Sequence, residues 1–228
     1  MPDQFPDKRS STKTIADFLR KADALPARRD QAAQRLIFSL DATASRQASW
    51  NRARELHANM FEVSKGLNGL QVQLCYYRGI GEFYSSPWGS SAGLLHDQMA
   101  SVECRGGYTQ IRALLQHALR ESRQTPVRAL IFIGDALEES VDELCGLAGE
   151  CGLRKLPLFI FQEGNNADVA TVFRRLSTLS GGAYAHFDSN SANQLADLLR
   201  AVAAYVSGGV DALRELQDNA ARLILEQL

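Results

Sequence analysis

The chain has 228 residues, of which 45% are hydrophobic and 22% are charged, proportions that are ordinary for a single globular domain. Its 25 basic and 26 acidic side chains give a formal net charge of -1, so no overall positive field attracts nucleic acid or an anionic membrane surface. No apolar run reaches the roughly 18 residues of a membrane-spanning helix, and the polar start carries no signal-peptide core, which favours a cytoplasmic protein.

The chain divides into four predicted segments. Residues 1–14 are rich in Pro, Asp, Ser and Lys and lack apolar periodicity, which predicts a flexible tail. Apolar residues then recur at helical spacing, which predicts a helix and a linker over residues 15–33. Residues 34–207 form the predicted domain, and a further periodic pattern predicts a C-terminal amphipathic helix over residues 208–228.

Short apolar runs alternate with longer helical patterns within the predicted domain. The buried strands are predicted at residues 36–40, 72–77, 129–133, 156–161 and 183–187. The helices between and after them are predicted at residues 45–65, 91–104, 110–122, 138–151, 167–179 and 192–206. Alternation of this kind indicates a mainly parallel sheet with helices on both faces.

One strand is expected to run against the others. Residues 81–85 follow Tyr77 after only three residues, which is too short for the crossover helix that a parallel pair requires. This strand is therefore predicted at an antiparallel edge. The predicted fold class is α/β, a doubly wound and mainly parallel six-stranded sheet with one antiparallel edge strand and the strand order 3-2-1-4-5-6.

Two carboxylates leave buried strands at equivalent points. Asp41 directly follows the first strand and opens the segment Asp-Ala-Thr-Ala-Ser, and Asp135 directly follows the fourth strand. In the predicted strand order the first and fourth strands are neighbours where the winding of the sheet reverses, which is the usual place for a ligand. We therefore expect Asp41 and Asp135 to converge.

A divalent cation would remove the repulsion between two such carboxylates, and it prefers oxygen ligands. The hydroxyls of Thr43 and Ser45 would add neutral oxygens from the same segment. Thr109 could add another, because Gly106 and Gly107 precede it and allow a close approach of the backbone. A purely structural alternative for the Asp-Ala-Thr-Ala-Ser segment is a helix cap, a role in which Ser and Thr are also favoured.

These three pieces resemble the metal-ion-dependent adhesion site (MIDAS) of von Willebrand factor A (VWA) domains. That pattern is Asp-x-Ser-x-Ser after the first strand, a Thr in a Gly-rich loop, and an Asp after the fourth strand. The resemblance spans about residues 35–207 and implies the Rossmann-like VWA fold. The metal ligands that it implies are Asp41, Thr43, Ser45, Thr109 and Asp135.

The resemblance also implies a function. It implies Mg²⁺ or Mn²⁺ with one coordination position left for an Asp or Glu of a partner protein, and hence a metal-dependent protein-binding module. The partner is expected at a face formed by Ser45, Thr109, Asp135 and the loop at residues 85–90. The chain departs from the family pattern at Gln110, where an Asp is common, and in the Gly-Asp-Ala-Leu-Glu-Glu segment, where Thr-Asp-Gly is frequent.

Two alternative functions remain open. Asp41 and the segment at residues 134–139 are also similar to the ends of a haloacid-dehalogenase-type phosphatase site, in which a carboxylate two residues after the first Asp acts as acid or base. Thr43 occupies that position and cannot transfer a proton near neutral pH, and Lys155 follows the Gly-Asp segment although that family's lysine precedes it. We therefore expect no enzymatic activity. The other alternative is a scaffold with a vestigial metal site.

Overall fold

The computed structural model of the protein describes residues 34–56, 70–188 and 192–228. The predicted tail over residues 1–14 and the predicted helix within residues 15–33 lie outside them. The second half of the first predicted domain helix, after Leu56, also lies outside the described residues.

In the described part of the chain, six strands form one sheet with the order β3-β2-β1-β4-β5-β6. The strands are β1 Gln34–Asp41, β2 Leu70–Arg78, β3 Glu82–Ser85, β4 Ala129–Gly134, β5 Leu158–Glu163 and β6 Tyr184–Phe187. Neighbouring strands are parallel except for β2 and β3, which pair antiparallel across a turn where Gly79 and Gly81 both have positive φ. The predicted fold class, strand order and antiparallel edge strand are confirmed.

The helices of the described residues cover both faces of this sheet. They are α1 Gln47–Leu56, α2 Ala92–Ala100, α3 Ile111–Gln124, α4 Val141–Leu153, α5 Ala167–Ser180, α6 Ala192–Glu215 and α7 Asn219–Leu225. A 3₁₀ turn, Ala44–Arg46, leads into α1. Among the described residues, no helix has both the length and the apolar character that crossing a membrane requires.

Two hydrophobic cores lie on opposite faces of the sheet, because successive strand side chains point to opposite sides. Phe38 and Phe159 belong to the core that α1, α2, α6 and α7 cover. Ile37 and Ile160, their neighbours in sequence, belong to the core that α3, α4 and α5 cover. The central strands β1, β4 and β5 are buried on both faces, which explains why they appear in the sequence as continuous apolar runs rather than as an alternating pattern.

The C-terminal segment differs from the single helix predicted over residues 208–228. Helix α6 continues past the predicted end of the domain, with a bend at Gly209, whose φ of 70° and ψ of -155° are not helical. The helical path then breaks after Glu215, where Gln217 has a φ of 51° and Asp218 caps α7. The periodic pattern was right about the apolar face, and wrong about continuity, because local capping ends one helix and starts another.

Gln227 connects the end of the chain to the open edge of β6. Its side-chain oxygen accepts a hydrogen bond from the backbone N–H of Tyr184 at 2.9 Å, and its side-chain amide donates to the carbonyl of Tyr184 at 3.0 Å. One side chain thus satisfies both backbone groups that another strand would satisfy.

Candidate metal centre

Asp41 occupies the buried end of β1. The residue is only 2% exposed, and its Oδ1 atom accepts a 2.7 Å hydrogen bond from the backbone N–H of Thr43. The Tyr77 hydroxyl donates to Oδ2 at 3.3 Å. Burial raises the pKa of Asp41, and the hydrogen bonds from the Thr43 amide and hydroxyl oppose that rise. Asp41 is therefore a fixed carboxylate whose charge the surrounding protein only partly compensates.

Asp135 lies beside it at the end of the neighbouring strand. The register of β1 and β4 places Leu40 opposite Ile133, so both carboxylates leave the same edge of the sheet. The negative charge of Asp135 contributes to the raised pKa of Asp41, which shows that the two groups act on each other. The Asp135 Oδ1 atom is buried and has no hydrogen-bond partner. The predicted convergence of the two strand ends is confirmed.

Thr43 and Ser45 follow Asp41 on the same short segment. Thr43 is half-buried and directs its hydroxyl to Asp41, whereas Ser45 is exposed in the 3₁₀ turn. No side-chain cap stabilises this turn. The Thr43 hydroxyl therefore stabilises Asp41 rather than a helix end, which argues against the capping interpretation of this segment.

Thr109 is held against the segment that follows β4. Its backbone N–H donates to a carboxylate oxygen of Glu138 at 2.8 Å, and its hydroxyl accepts from the backbone N–H of Glu138 at 3.0 Å. Gly107 makes the close approach that was predicted for the loop, because a Cβ atom there would lie 1.9 Å from the carbonyl oxygen of Gly79. The structure thus brings Thr109 to the Asp135 segment.

Glu139 fixes the start of α3 from the same segment. Its carboxylate accepts hydrogen bonds from the backbone N–H groups of Ile111 and Arg112, at 2.5 Å and 2.9 Å. The helix predicted from residue 138 therefore begins only at Val141, because Glu138 and Glu139 serve Thr109 and α3 instead. These two carboxylates belong to the Gly-Asp-Ala-Leu-Glu-Glu segment, in which the chain departs from the family pattern.

Arg46 is the functional residue that the sequence interpretation missed. It directly follows Ser45, its side chain is 3% exposed, and its guanidinium forms an ion pair with Glu163 and lies 3.7 Å from Asp135 Oδ2. Its Nε atom is buried without a hydrogen-bond partner. In the sequence, Arg46 appears only as a basic residue shortly after the predicted strand end at Asp41. That pattern does not distinguish a buried arginine from an exposed one.

Tyr77 was also missed, because it was assigned only to the core. It is fully buried, and burial raises its pKa well above the usual value, with further contributions from the negative charges of Asp41, Glu139 and Asp135. The hydroxyl therefore stays protonated and remains a donor to Asp41. The negative charges of these three carboxylates thus all act on the buried Tyr77 hydroxyl.

An open cleft of about 380 Å³ adjoins the two strand ends. Its lining includes Ser45, Arg46, Asp135, Glu163, His186 and Asp188. Asp135 is 29% exposed at its side chain, so a ligand that enters the cleft can reach it. The cleft places two of the predicted ligands, Ser45 and Asp135, in one accessible space with Arg46 and the end of β6.

The loop at residues 85–90 does not belong to this face. Because β3 runs antiparallel to β2, the chain after Ser85 returns toward the start of β2, where Gly89 pairs with Val72. Trp88 donates a hydrogen bond from its indole to Glu121 at 2.9 Å and lies under the guanidinium of Arg35, near the start of β1. The prediction that this loop borders the metal site was wrong, because strand direction carries it to the opposite edge of the sheet.

The arrangement fits a divalent cation with oxygen ligands. Within residues 34–56, 70–188 and 192–228, no group of three or more His, Cys, Asp and Glu side chains is placed to hold a metal ion. The candidate set is of another kind, two carboxylates and three hydroxyls. The buried and unpartnered Asp135 Oδ1 atom, next to an incompletely compensated Asp41, is the feature of this set that a cation would complete.

Comparisons with known proteins show a similarity of fold and no significant similarity of sequence. No protein-family model matches the chain, and no curated protein matches it significantly in sequence. The SpRpn10 VWA domain is similar to this chain with a TM-score of 0.56 at 10% identity, over 72% of this chain and 95% of its own. An aerotolerance-related membrane protein from Bacteroides fragilis gives 0.55 at 16% identity, over 72% and 96%.

A longer protein shows the same similarity. The ArnB paralog VWA2 from Sulfolobus acidocaldarius matches with a TM-score of 0.52 at 11% identity, over 73% of this chain and 45% of its own. Likeness at such identities concerns the path of the backbone and not the chemistry of a site. The six-stranded mixed sheet with its antiparallel edge strand therefore has the VWA-like α/β fold.

Proposed function

We propose that the chain is a non-enzymatic, cytoplasmic protein-binding module that uses Mg²⁺ or Mn²⁺ to capture an Asp or Glu side chain of a partner protein. Asp41, Thr43, Ser45, Thr109 and Asp135 would hold the cation. A bound divalent cation is a Lewis acid to which the carboxylate of a partner can bind. This function combines the VWA-like fold with the oxygen-rich end of the sheet.

The observation that carries the proposal is the state of the two carboxylates. Asp41 is buried with a raised pKa, and Asp135 beside it has a buried oxygen without a partner. Buried anions are usually paired or coordinate a metal, because an uncompensated charge in a low-dielectric environment is costly. A divalent cation at this position would compensate both groups.

The surrounding residues position this oxygen set. The Thr43 amide and the Tyr77 hydroxyl fix the Asp41 carboxylate. The backbone N–H of Glu138 donates to the Thr109 hydroxyl, and the Glu138 carboxylate accepts from the backbone N–H of Thr109. Such supporting hydrogen bonds orient ligand atoms before a metal binds. The exposed hydroxyl of Ser45 and the partly exposed Asp135 face a cleft that a side chain from another protein can enter.

Arg46 supports a second candidate, a scaffold that uses no metal. Its guanidinium already brings one positive charge to Asp135 and Glu163. A carboxylate that entered the cleft would then meet a protein cation instead of a metal ion. The two candidates differ in their dependence on a divalent cation, which one titration measures.

The first test is the thermal midpoint of unfolding in EDTA and in millimolar Mg²⁺ or Mn²⁺. A cation that binds only the folded protein at a hundredfold excess over its dissociation constant stabilises it by about 2.7 kcal/mol. We expect the midpoint to rise in the wild-type protein and in the control Asp142→Asn, an exposed position on α4. We expect no rise in Asp135→Asn. Equal midpoints of the wild type in EDTA and in metal would favour the metal-free scaffold.

The second test addresses the partner. Proteins captured on immobilised wild-type chain in Mg²⁺ should elute with EDTA, and Asp135→Asn should fail to capture them while Asp142→Asn retains them. Replacing the acidic residues of a captured partner by amides, one at a time, should abolish binding at one position. A partner that stays bound in EDTA and through every such replacement would contradict the proposal.

A further inference from the structure

A second cleft, of about 420 Å³, lies at the end of the sheet where the parallel strands begin, opposite the end that carries the candidate metal centre. Its position follows from the strand directions, because its lining residues Gln34, Arg128 and Lys155 belong to the starts of β1 and β4 and to the segment before β5. The bend of α6, at Ser207 to Gly209, forms its other side. This cleft is independent of the proposed metal-binding function.

Two cations line this cleft, and no carboxylate of the described residues pairs with them. Arg128 and Lys155 are both exposed, and neither forms an ion pair with an acidic side chain of the described residues. They reach the cleft from two different connections, one before β4 and one before β5. Lys155 is held in a left-handed conformation with a φ of 56°, which a lysine adopts only where the surrounding backbone imposes it. The cleft therefore has a local positive charge, although the whole chain is nearly neutral.

Neutral donors complete the lining. The Ser207 hydroxyl is buried and has no hydrogen-bond partner, although a serine within a helix can ordinarily bond to a backbone carbonyl of the preceding turn. Tyr205 lies beside it, and its pKa is raised by burial and lowered by the charge of Arg128, so its hydroxyl stays protonated at neutral pH. Gln34 also has a buried oxygen without a partner, and a half-turn of its amide exchanges that acceptor for a donor.

Two glycines form the bend of α6 beside the cleft. Gly209 has a φ of 70° that other residues rarely adopt, and a Cβ atom at Gly208 would lie 2.6 Å from the Cβ of Ala212. The bend directs α6 away from a straight continuation at the point where Ser207 and both cations face the cleft. Two positive charges and the unpartnered Ser207 hydroxyl in one concave site match a doubly charged anion with several acceptor oxygens.

We propose that this cleft binds a phosphate group, with Arg128 and Lys155 neutralising its charge and Ser207 donating a hydrogen bond to one of its oxygens. The phosphate could belong to a small soluble compound or to a lipid headgroup. Both sources present the same tetrahedral dianion, and they are separated by the two arms of the test.

The probe in the first arm is inorganic phosphate, titrated into the full chain in Hepes buffer and followed in ¹H–¹⁵N spectra. We expect saturable shifts of the Ser207, Gly208 and Gly209 amides, which chloride at equal ionic strength does not reproduce. Removal of one charge-assisted contact should weaken binding about tenfold in Arg128→Gln and in Lys155→Gln. Arg154→Gln removes a neighbouring exposed charge outside the cleft and should leave the affinity unchanged.

The second arm measures sedimentation with phosphatidylcholine vesicles that contain phosphatidic acid. Binding that Lys155→Gln abolishes assigns the phosphate to a lipid headgroup, and binding to inorganic phosphate alone assigns it to a soluble compound. Shifts that grow linearly and equally with phosphate and chloride would overturn the proposal. So would an affinity for phosphate that is the same in the wild type, in both cleft variants and in Arg154→Gln.

Discussion

Arg46 determines the electrostatics of the candidate metal centre at the scale of single residues. Its guanidinium is buried between Glu163 and Asp135, so it compensates acidic groups that a divalent cation would also compensate. A protein cation and a metal ion at one site compete for the same carboxylate charge. We therefore expect the arginine to stabilise the site in the absence of metal and to reduce the gain in stability from binding one.

Replacing Arg46 by Gln tests this double role. In EDTA we expect the free energy of unfolding to fall by about 3 kcal/mol, because loss of one member leaves a buried carboxylate uncompensated. Mg²⁺ should then stabilise Arg46→Gln more than it stabilises the wild type. Urea unfolding with and without Mg²⁺ measures both effects.

Arg112→Gln is the matched control for that prediction. Arg112 forms an ion pair with Glu143 in which the two side chains are 57% and 60% exposed, and such pairs contribute about 0–1 kcal/mol. An equal loss of stability in Arg46→Gln and Arg112→Gln would show that the buried ion pair has no special weight. A smaller response to Mg²⁺ in Arg46→Gln than in the wild type would contradict the competition.

Helix α3 is tied to strand β2 by a buried histidine, and this contact is sensitive to pH. The His117 ring nitrogen Nε2 lies 2.8 Å from the side-chain oxygen of Gln73, which can only accept, so Nε2 carries the proton. Burial lowers the pKa of His117 from its ordinary value of 6.5, with Glu121 opposing that effect and Arg120 adding to it. The ring is therefore neutral in the folded protein under conditions where it is charged in the unfolded chain.

The sign of the resulting pH dependence follows from proton binding. Below pH 6.5 the unfolded chain takes up a proton at His117 before the folded protein does, so stability is present above this pH and is lost as the pH falls toward the lower folded pKa. The slope from one group is at most about 1.4 kcal/mol per pH unit. We expect His117→Gln to reduce the loss of stability between pH 7.5 and 5.5 in urea unfolding. His186→Gln, at an exposed position on β6, should keep the wild-type loss, and equal slopes for all three proteins would refute the assignment.

Gln227, two residues after the end of helix α7, protects the open edge of the sheet through its side chain. Gln227→Ala removes both hydrogen bonds to the backbone of Tyr184, which should lower the free energy of unfolding by about 1–2 kcal/mol and speed hydrogen exchange of the Tyr184 amide. Glu226→Ala is the control, since Glu226 is exposed and adjacent. Unchanged exchange at Tyr184 in Gln227→Ala would show that another contact covers this edge.

At the scale of the whole molecule, the described residues bring together two acidic strand ends, and neither Thr43 nor Lys155 supplies the further groups that a phosphatase site requires. The Thr43 hydroxyl bonds to Asp41 and supplies no acid, and Lys155 lies at the opposite edge of the sheet. General acid–base help is worth about 10²–10⁴ in rate, so its absence should leave hydrolysis near background. We expect a panel of phosphate esters to give the same rates with the wild type, Asp41→Asn and Asp135→Asn. Turnover above about 1 s⁻¹ that Asp41→Asn abolishes would instead assign a phosphatase.

The sequence by itself determined the architecture. Apolar runs that alternate with helical periods predict a parallel sheet, and three residues between two strands allow only an antiparallel neighbour. The order of the six strands followed from the common order of doubly wound sheets, to which these patterns point. The convergence of Asp41 and Asp135 followed too, because strand order and direction fix where strand ends meet.

Only the tertiary structure decided the environment of the site. Nothing in the local sequence singles out Arg46, Glu138 or Glu139. Packing of distant segments buries Arg46 and joins the two glutamates to Thr109 and α3. The loop at residues 85–90 left the site because the return direction of β3 carries it away. Periodicity depends on neighbours in sequence, whereas burial and partners depend on residues tens of positions away, which no local pattern contains.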